Sequence, residues 1–354
     1  MNPSIYNRLG KRSVSLVAAA FGLLIASNAW AAPTTCVTVG TGAPTLKLAI
    51  ASNFYVPAQT MAQNFINASS GTVTAVLVCM NSTAHLSAEI TSGTQLPPEL
   101  LPDPGFPRYD YFFAANSSTP ISLQSSTGTT AFLYANGIPI LYSSTTLNPS
   151  VATVGDLIVG LGSATNASIS GTSLSQYQIN SRAQLVGVAD PLQAPYGVAA
   201  QSITTAMGYV WSGNTPPTPP VLPSLFANID LTFASVGTTV NGQFVGAAFA
   251  AKSQICASLG SVQYVQFPSF QTVQWAIQLT TGPVTTRFDT YLHQQINTGN
   301  WNVFLAQNCY SAINDAVPVP VGSFVGPAFG LFALVYGMFS INRRSRRGAL
   351  SLSA

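Results

Sequence analysis

The sequence predicts an α/β fold, and three features carry that expectation. Short apolar runs suited to strands buried on both faces alternate with segments of helical spacing. Polar turns rich in Ser, Thr and Asn separate them. The composition, 47 % hydrophobic with only 6 % charged residues, excludes disorder, which needs low hydrophobicity and high charge. Leu46–Ala51 (LKLAIA) is the first such run, as expected of a strand in a parallel sheet. After Ser52 and Asn53, the apolar residues Val56, Met61, Ala62 and Phe65 recur at helical spacing. TVTAVLV at 72–78 predicts the next strand. Asn81-Ser82-Thr83 is an N-cap cluster, and Leu86, Ala88 and Ile90 continue as a helix. Tyr109–Phe113 predicts a further strand. Strand, polar turn and helix in succession give the βαβ rhythm, with ligand sites at strand ends. Residues 94–108 carry five prolines and are expected to be an exposed loop. Residues 160–180 and 213–224 are expected to be further polar or Pro-rich loops.

The two ends carry targeting features. Residues 1–32 run from a basic start through an apolar stretch to Ala29-Trp30-Ala31-Ala32, the order of a cleaved secretory signal peptide. Residues 317–341 carry no charge and precede RRSRR. That length crosses a bilayer, and the arginines hold the 342–354 tail in the cytoplasm. The expected protein is therefore secreted across the inner membrane and anchored by a C-terminal helix at the periplasmic or cell surface. The tail also resembles exosortase-type sorting tails, although Val319 stands between the prolines where those tails carry Glu.

Most basic residues lie in these ends. Residues 33–316 hold five basic and nine acidic side chains, a net charge of about −4, so no basic stripe offers a nucleic acid a track. Cys36, Cys79, Cys256 and Cys309 are an even set in an oxidising compartment, which predicts two disulfides. Of the three pairings, Cys36–Cys79 with Cys256–Cys309 is preferred, because each pair joins segments placed in the same lobe. Only His85 and His293 accompany the cysteines, so neither a metal site nor a cofactor is expected. No nucleophile elbow, phosphate loop or Cys/His pairing is present, and no enzymatic activity is expected.

Scattered motifs resemble the periplasmic molybdate-binding proteins of ABC transporters. LAIASN at 48–53 resembles that family's first strand and its Ser. NSTAHLSAEI at 81–90 resembles its Gly-Ser-Ser-Gly turn and helix. VADPLQAPYGVA at 188–199 is the most specific match, followed by Asn228-Ile229 and AFAAKSQI at 248–255. The resemblance implies a two-lobed type II solute-binding fold over 33–316. One lobe would comprise 36–128 and 249–316, the other 129–248. It further implies a small oxyanion of the molybdate or tungstate kind and an ABC permease as partner. The oxyanion would be held by the hydroxyls of Ser52 and Thr83, with Ser82 as substitute or neighbour, and by the backbone N–H groups of Tyr196 and Ile229. Helix N-termini supply such donors without any Lys or Arg. Helix capping explains Ser52 and Thr83 equally well. The alternative function is a membrane-anchored structural or adhesion protein that reuses the fold without a small ligand.

Overall fold

In a computed structural model, residues 34–92, 109–217 and 223–313 are described. They form two mixed sheets flanked by helices. The strands in chain order are β1 (Thr35–Gly40), β2 (Leu46–Ala51), β3 (Ala75–Asn81), β4 (Tyr111–Ala114), β5 (Phe132–Gly137), β6 (Pro139–Ser143), β7 (Ile158–Val159), β8 (Asn166–Ser168), β9 (Gln178–Ile179), β10 (Leu185–Ala189), β11 (Pro223–Phe226), β12 (Thr239–Val240), β13 (Gln243–Ala251), β14 (Gln263–Gln266) and β15 (Thr272–Gln278). The α-helices are α1 (Tyr55–Ala68), α2 (Thr83–Ser92), α3 (Ser118–Thr127), α4 (Pro195–Ala206), α5 (Ile229–Ala234), α6 (Pro283–Asn297) and α7 (Asn300–Gln307).

The first sheet has the order β1-β3-β2-β4-β15-β5 and the second β11-β10-β13-β6-β14-β8, with β12 on β13 and a separate β7-β9 pair. β2 lies parallel to β3 and β4, and β10 lies parallel to β11 and β13. Every residue of β2 is buried, which explains its unbroken apolar run. Helix α1 buries Ala58, Met61, Ala62 and Phe65, the i, i+3, i+4, i+7 stripe of an amphipathic helix. These meet Phe288 and Leu292 of α6 and Trp301 and Leu305 of α7 in one core of the first sheet. The second sheet has its own cores, one of which joins Val186, Val188, Ala200, Ile203 and Phe249.

Several boundaries differ from the sequence reading. The expected strand 72–78 begins three residues later, because 69–74 are taken up by the turn that follows α1. Within 160–180, β8 and β9 form short pairs, and β11 begins inside the expected loop 213–224. The chain crosses between sheets at Ile138 and at 267–271, later than the 128/129 and 248/249 boundaries. β5 stays in the first sheet because it pairs with β15, and β13 and β14 stay in the second because both pair with β6.

This shift changes the meaning of one disulfide. Cys36–Cys79 joins directly opposed residues of β1 and β3 within one sheet. Cys256–Cys309 was expected to lie within one lobe. Instead Cys256 lies between β13 and β14 of the second half, and Cys309 follows α7 of the first. The bond ties the two halves together. The Pro-rich 94–108 loop and the terminal segments 1–32, 317–341 and 342–354 lie outside the described residues. Among the described residues no helix is long and apolar enough to cross a membrane.

Candidate functional site

Strand ends from both sheets converge between the halves. Ala51 at the end of β2, Ala115 just after β4, Ala189 at the end of β10 and Ala251 at the end of β13 pack with Ala194, Tyr196 and Ile229 in a single cluster. The crevice outside the carboxyl ends of strands is the general ligand position in open α/β sheets. Ser52 opens a 3₁₀ turn after β2. Ser82 precedes α2 and Thr83 begins it after β3, Tyr196 lies in the first turn of α4, and Ile229 begins α5. All five side chains are buried.

Their bonding defines what each can offer. The Ser82 hydroxyl accepts the His85 N–H at 3.2 Å and so caps α2. Thr83 Oγ1 accepts the Ala115 N–H at 3.0 Å, leaving its own proton for another acceptor. Tyr196 is the second residue of α4, so its N–H precedes the first intrahelical bond. Gly197 beside it sits where a Cβ would overlap the Ala189 carbonyl, which accounts for Gly after Ala-Pro-Tyr in this turn. Asn228 caps α5 by accepting the Leu231 N–H at 2.8 Å.

The five residues do not share either of two cavities among the described residues. Thr83 lines the larger, about 580 Å³, together with Asn116, Ser118, Gln193 and Thr272, and among the described residues no charged side chain lines it. Ser52 lines a second cavity of about 360 Å³, with Asn53, Tyr55, Asp230 and Gln254. Ser82, Tyr196 and Ile229 line neither. A backbone bond from Ala84 N–H to the Gln193 carbonyl, 3.3 Å, crosses from α2 to the second half and occupies one donor of the α2 N-terminus.

Between the cavities lies a buried polar network that the sequence reading missed. Gln274 Oε1 accepts from Tyr134 at 2.9 Å and from Asn53 Nδ2 at 3.0 Å. Its Nε2 donates to the Tyr196 hydroxyl at 3.0 Å and to Thr272 Oγ1 at 3.2 Å. The Tyr310 hydroxyl donates to the Asn53 carbonyl at 2.7 Å, and so does Ser253 at 2.9 Å. Burial pushes the hydroxyls of Tyr134, Tyr196 and Tyr310 up, well above the ordinary phenol range, so all three stay protonated. Asn53 Oδ1 is buried without a partner. The sequence signal was the core-side parity of β15, where Thr272 and Gln274 occupy buried positions in TVQWAIQ. Among the described residues no group of three His, Cys, Asp or Glu is placed to hold a metal.

No protein-family model and no curated protein sequence matches the chain. Solved structures do. A periplasmic molybdate-binding protein of Azotobacter vinelandii aligns with 76 % of this chain and 100 % of its own, at 17 % identity and a TM-score of 0.50. Iron-bound HitA of Pseudomonas aeruginosa aligns with 78 % of this chain and 88 % of its own, at 13 % identity and a TM-score of 0.45. An ABC-type phosphate transport receptor of Vibrio cholerae aligns with 76 % and 100 %, at 11 % identity and a TM-score of 0.41. The first of these likenesses shows the fold: this chain has the architecture of a periplasmic solute-binding protein.

Proposed function

We propose that the chain is an extracytoplasmic solute-binding protein whose two halves, within 33–316, capture a small oxyanion of the molybdate or tungstate kind. The hydroxyls of Ser52, Thr83 and Ser82 and the N–H groups of Tyr196 and Ile229 would supply the donors. The observation that carries this reading is the convergence of strand ends from both sheets on one buried cluster holding Tyr196 and Ile229. Helix N-termini there favour negative charge without a countercharge. The Azotobacter protein of like fold binds molybdate by its name, which supports the ligand class. An ABC permease is the corresponding partner. The signal peptide at 1–32 and the span at 317–341 would place the protein outside the cytoplasm and tether it to the membrane. Calorimetric titration with molybdate, tungstate, sulfate and phosphate tests the reading: saturable binding of molybdate or tungstate supports it, and no heat from either in folded protein overturns it.

A second reading, a surface structural protein without a small ligand, is favoured by one observation. The halves already bond directly to each other through Ala84–Gln193, Asn53–Ser253 and Tyr196–Gln274. The same titration separates the two readings.

A further inference from the structure

The second cavity has a chemistry opposite to that of an oxyanion site. Among the described residues Asp230 is the one acidic side chain in its wall, and no lysine or arginine lines it. Burial holds the Asp230 carboxyl above its ordinary range, with the Gln254 side chain opposing. A carboxylate there lacks a countercharge, and desolvated charges are costly until paired.

The neighbouring Asn53 points to the same deficiency. Its side chain is 3 % exposed and its Nδ2 is committed to Gln274 and Tyr310. In the same arrangement Gln274 Oε1 accepts from Tyr134 and Gln274 Nε2 donates to Tyr196 and Thr272. With Nδ2 so placed, Asn53 Oδ1 is a buried acceptor without a donor. Such an atom costs about 1–3 kcal/mol unless something donates to it. Tyr55, Val56, Pro57, Phe233 and Ala257 add an apolar wall. That wall would be wasted on a bare inorganic cation, while aromatic faces attract organic ammonium groups. At about 360 Å³, the space lies at the small end of ligand pockets.

We propose that this cavity binds a small organic amine, its ammonium donating to the Asp230 carboxylate and Asn53 Oδ1 and its carbon skeleton lying against Tyr55 and Phe233. The cavity shares Ser52 with the donors named for the oxyanion, but the amine contacts do not use that hydroxyl and the proposal does not depend on the oxyanion reading. An anion placed here would meet Asp230, whereas among the described residues the larger cavity at Thr83 has no charged side chain to repel it.

The test is calorimetric titration of the full chain with 1,4-diaminobutane, ethanolamine and 2-phenylethylamine at millimolar concentration, with potassium chloride as the ionic-strength control. At least one amine is expected to saturate, with affinity falling roughly tenfold or more in Asp230→Asn. Tyr55→Leu, which keeps bulk but removes the ring, is expected to weaken binding several-fold. It serves as the second reading of the site where Asp230→Asn does not fold. Denaturant curves establish that each variant is folded. Failure of all three amines to bind folded wild-type protein, or binding unchanged in both variants, overturns the proposal. Oxyanion titration of the same samples is scored separately, so failure of one site leaves the other standing or falling alone.

Discussion

Gln274 on β15 and Tyr196 on α4 meet across the two halves, with Gln274 Nε2 donating to the Tyr196 hydroxyl at 3.0 Å. Neither group sees water. The bond joins the two halves and belongs to the network that reaches Asn53 and Tyr310. Tyr196→Phe removes only the oxygen and leaves Gln274 one acceptor short. The expected cost is about 1–3 kcal/mol for a buried group left underbonded, read from urea unfolding. Gly137 frames the same contact, since a Cβ there would overlap both the Tyr196 hydroxyl and Gln274 Nε2. Gly137→Ala is expected to destabilise by about 1–3 kcal/mol through overpacking. A neutral result for both would remove the network as a stabilising element.

The Cys256–Cys309 bond spans 53 residues of sequence and joins opposite halves, so its loss should loosen their association. The replacement Cys256→Ser with Cys309→Ser is expected to cost about 3–5 kcal/mol on the chain-entropy model. In small-angle scattering it should also raise the radius of gyration. The Cys36→Ser with Cys79→Ser protein should lose stability without expanding, because that bond closes within one sheet. Equal compactness of all three proteins would contradict the tether.

Lys47 on β2 gives a pH signature. Burial pushes its amine down to about 8, against the attraction of Asp110. Below pH 8 both folded and unfolded chains carry the proton, and the folded chain bears the burial cost. Between pH 8 and the unfolded value the folded chain releases its proton first, so stability rises with pH in that window. The buried tyrosines act in the opposite sense above pH 10, where the unfolded phenols ionise first. Denaturant midpoints should therefore climb from pH 8 to 10 in the wild type and stay flat in Lys47→Met; a wild-type curve that falls over the window refutes the assignment.

Much of the first half was legible in the sequence, because its elements are defined locally. β2 lies at 46–51 as its apolar run indicated, and α1 follows from the spacing of Met61, Ala62 and Phe65. The segment after Thr83 is helical because Ser82 caps it. What escaped reading depends on distant partners. β15 is an ordinary alternating strand until β5 and β4 claim its two edges; its pairing with β5 moved the first lobe boundary, and the pairing of β13 and β14 with β6 moved the second. The same displacement carried Cys256 into the second half, so the cysteine pairing could be anticipated while its consequence could not. Gln274 and Tyr310 are separated from Asn53 by more than two hundred residues, and no local pattern announces their contact. The strand-end serine and threonine were visible, but their division between two cavities follows from packing of the halves.

The hydroxyl donors give a direct handle on the site. Ser52→Ala combined with Thr83→Ala leaves the alanine cluster intact and removes two donors. Loss of about 1–3 kcal/mol per hydrogen bond to a charged ligand should weaken oxyanion affinity at least tenfold in calorimetry. Unchanged affinity in the double variant would move the oxyanion away from these residues.

The most direct test of the central claim is thermal unfolding of the disulfide-intact protein with molybdate, tungstate, sulfate or phosphate. A ligand at about a hundred times its dissociation constant stabilises the native state by about 2.7 kcal/mol, which raises the midpoint by a few degrees in a chain of this size. The account predicts that rise with molybdate or tungstate and none with the other two. An unchanged midpoint with all four anions, in protein shown to be folded and free of bound anion, would contradict it.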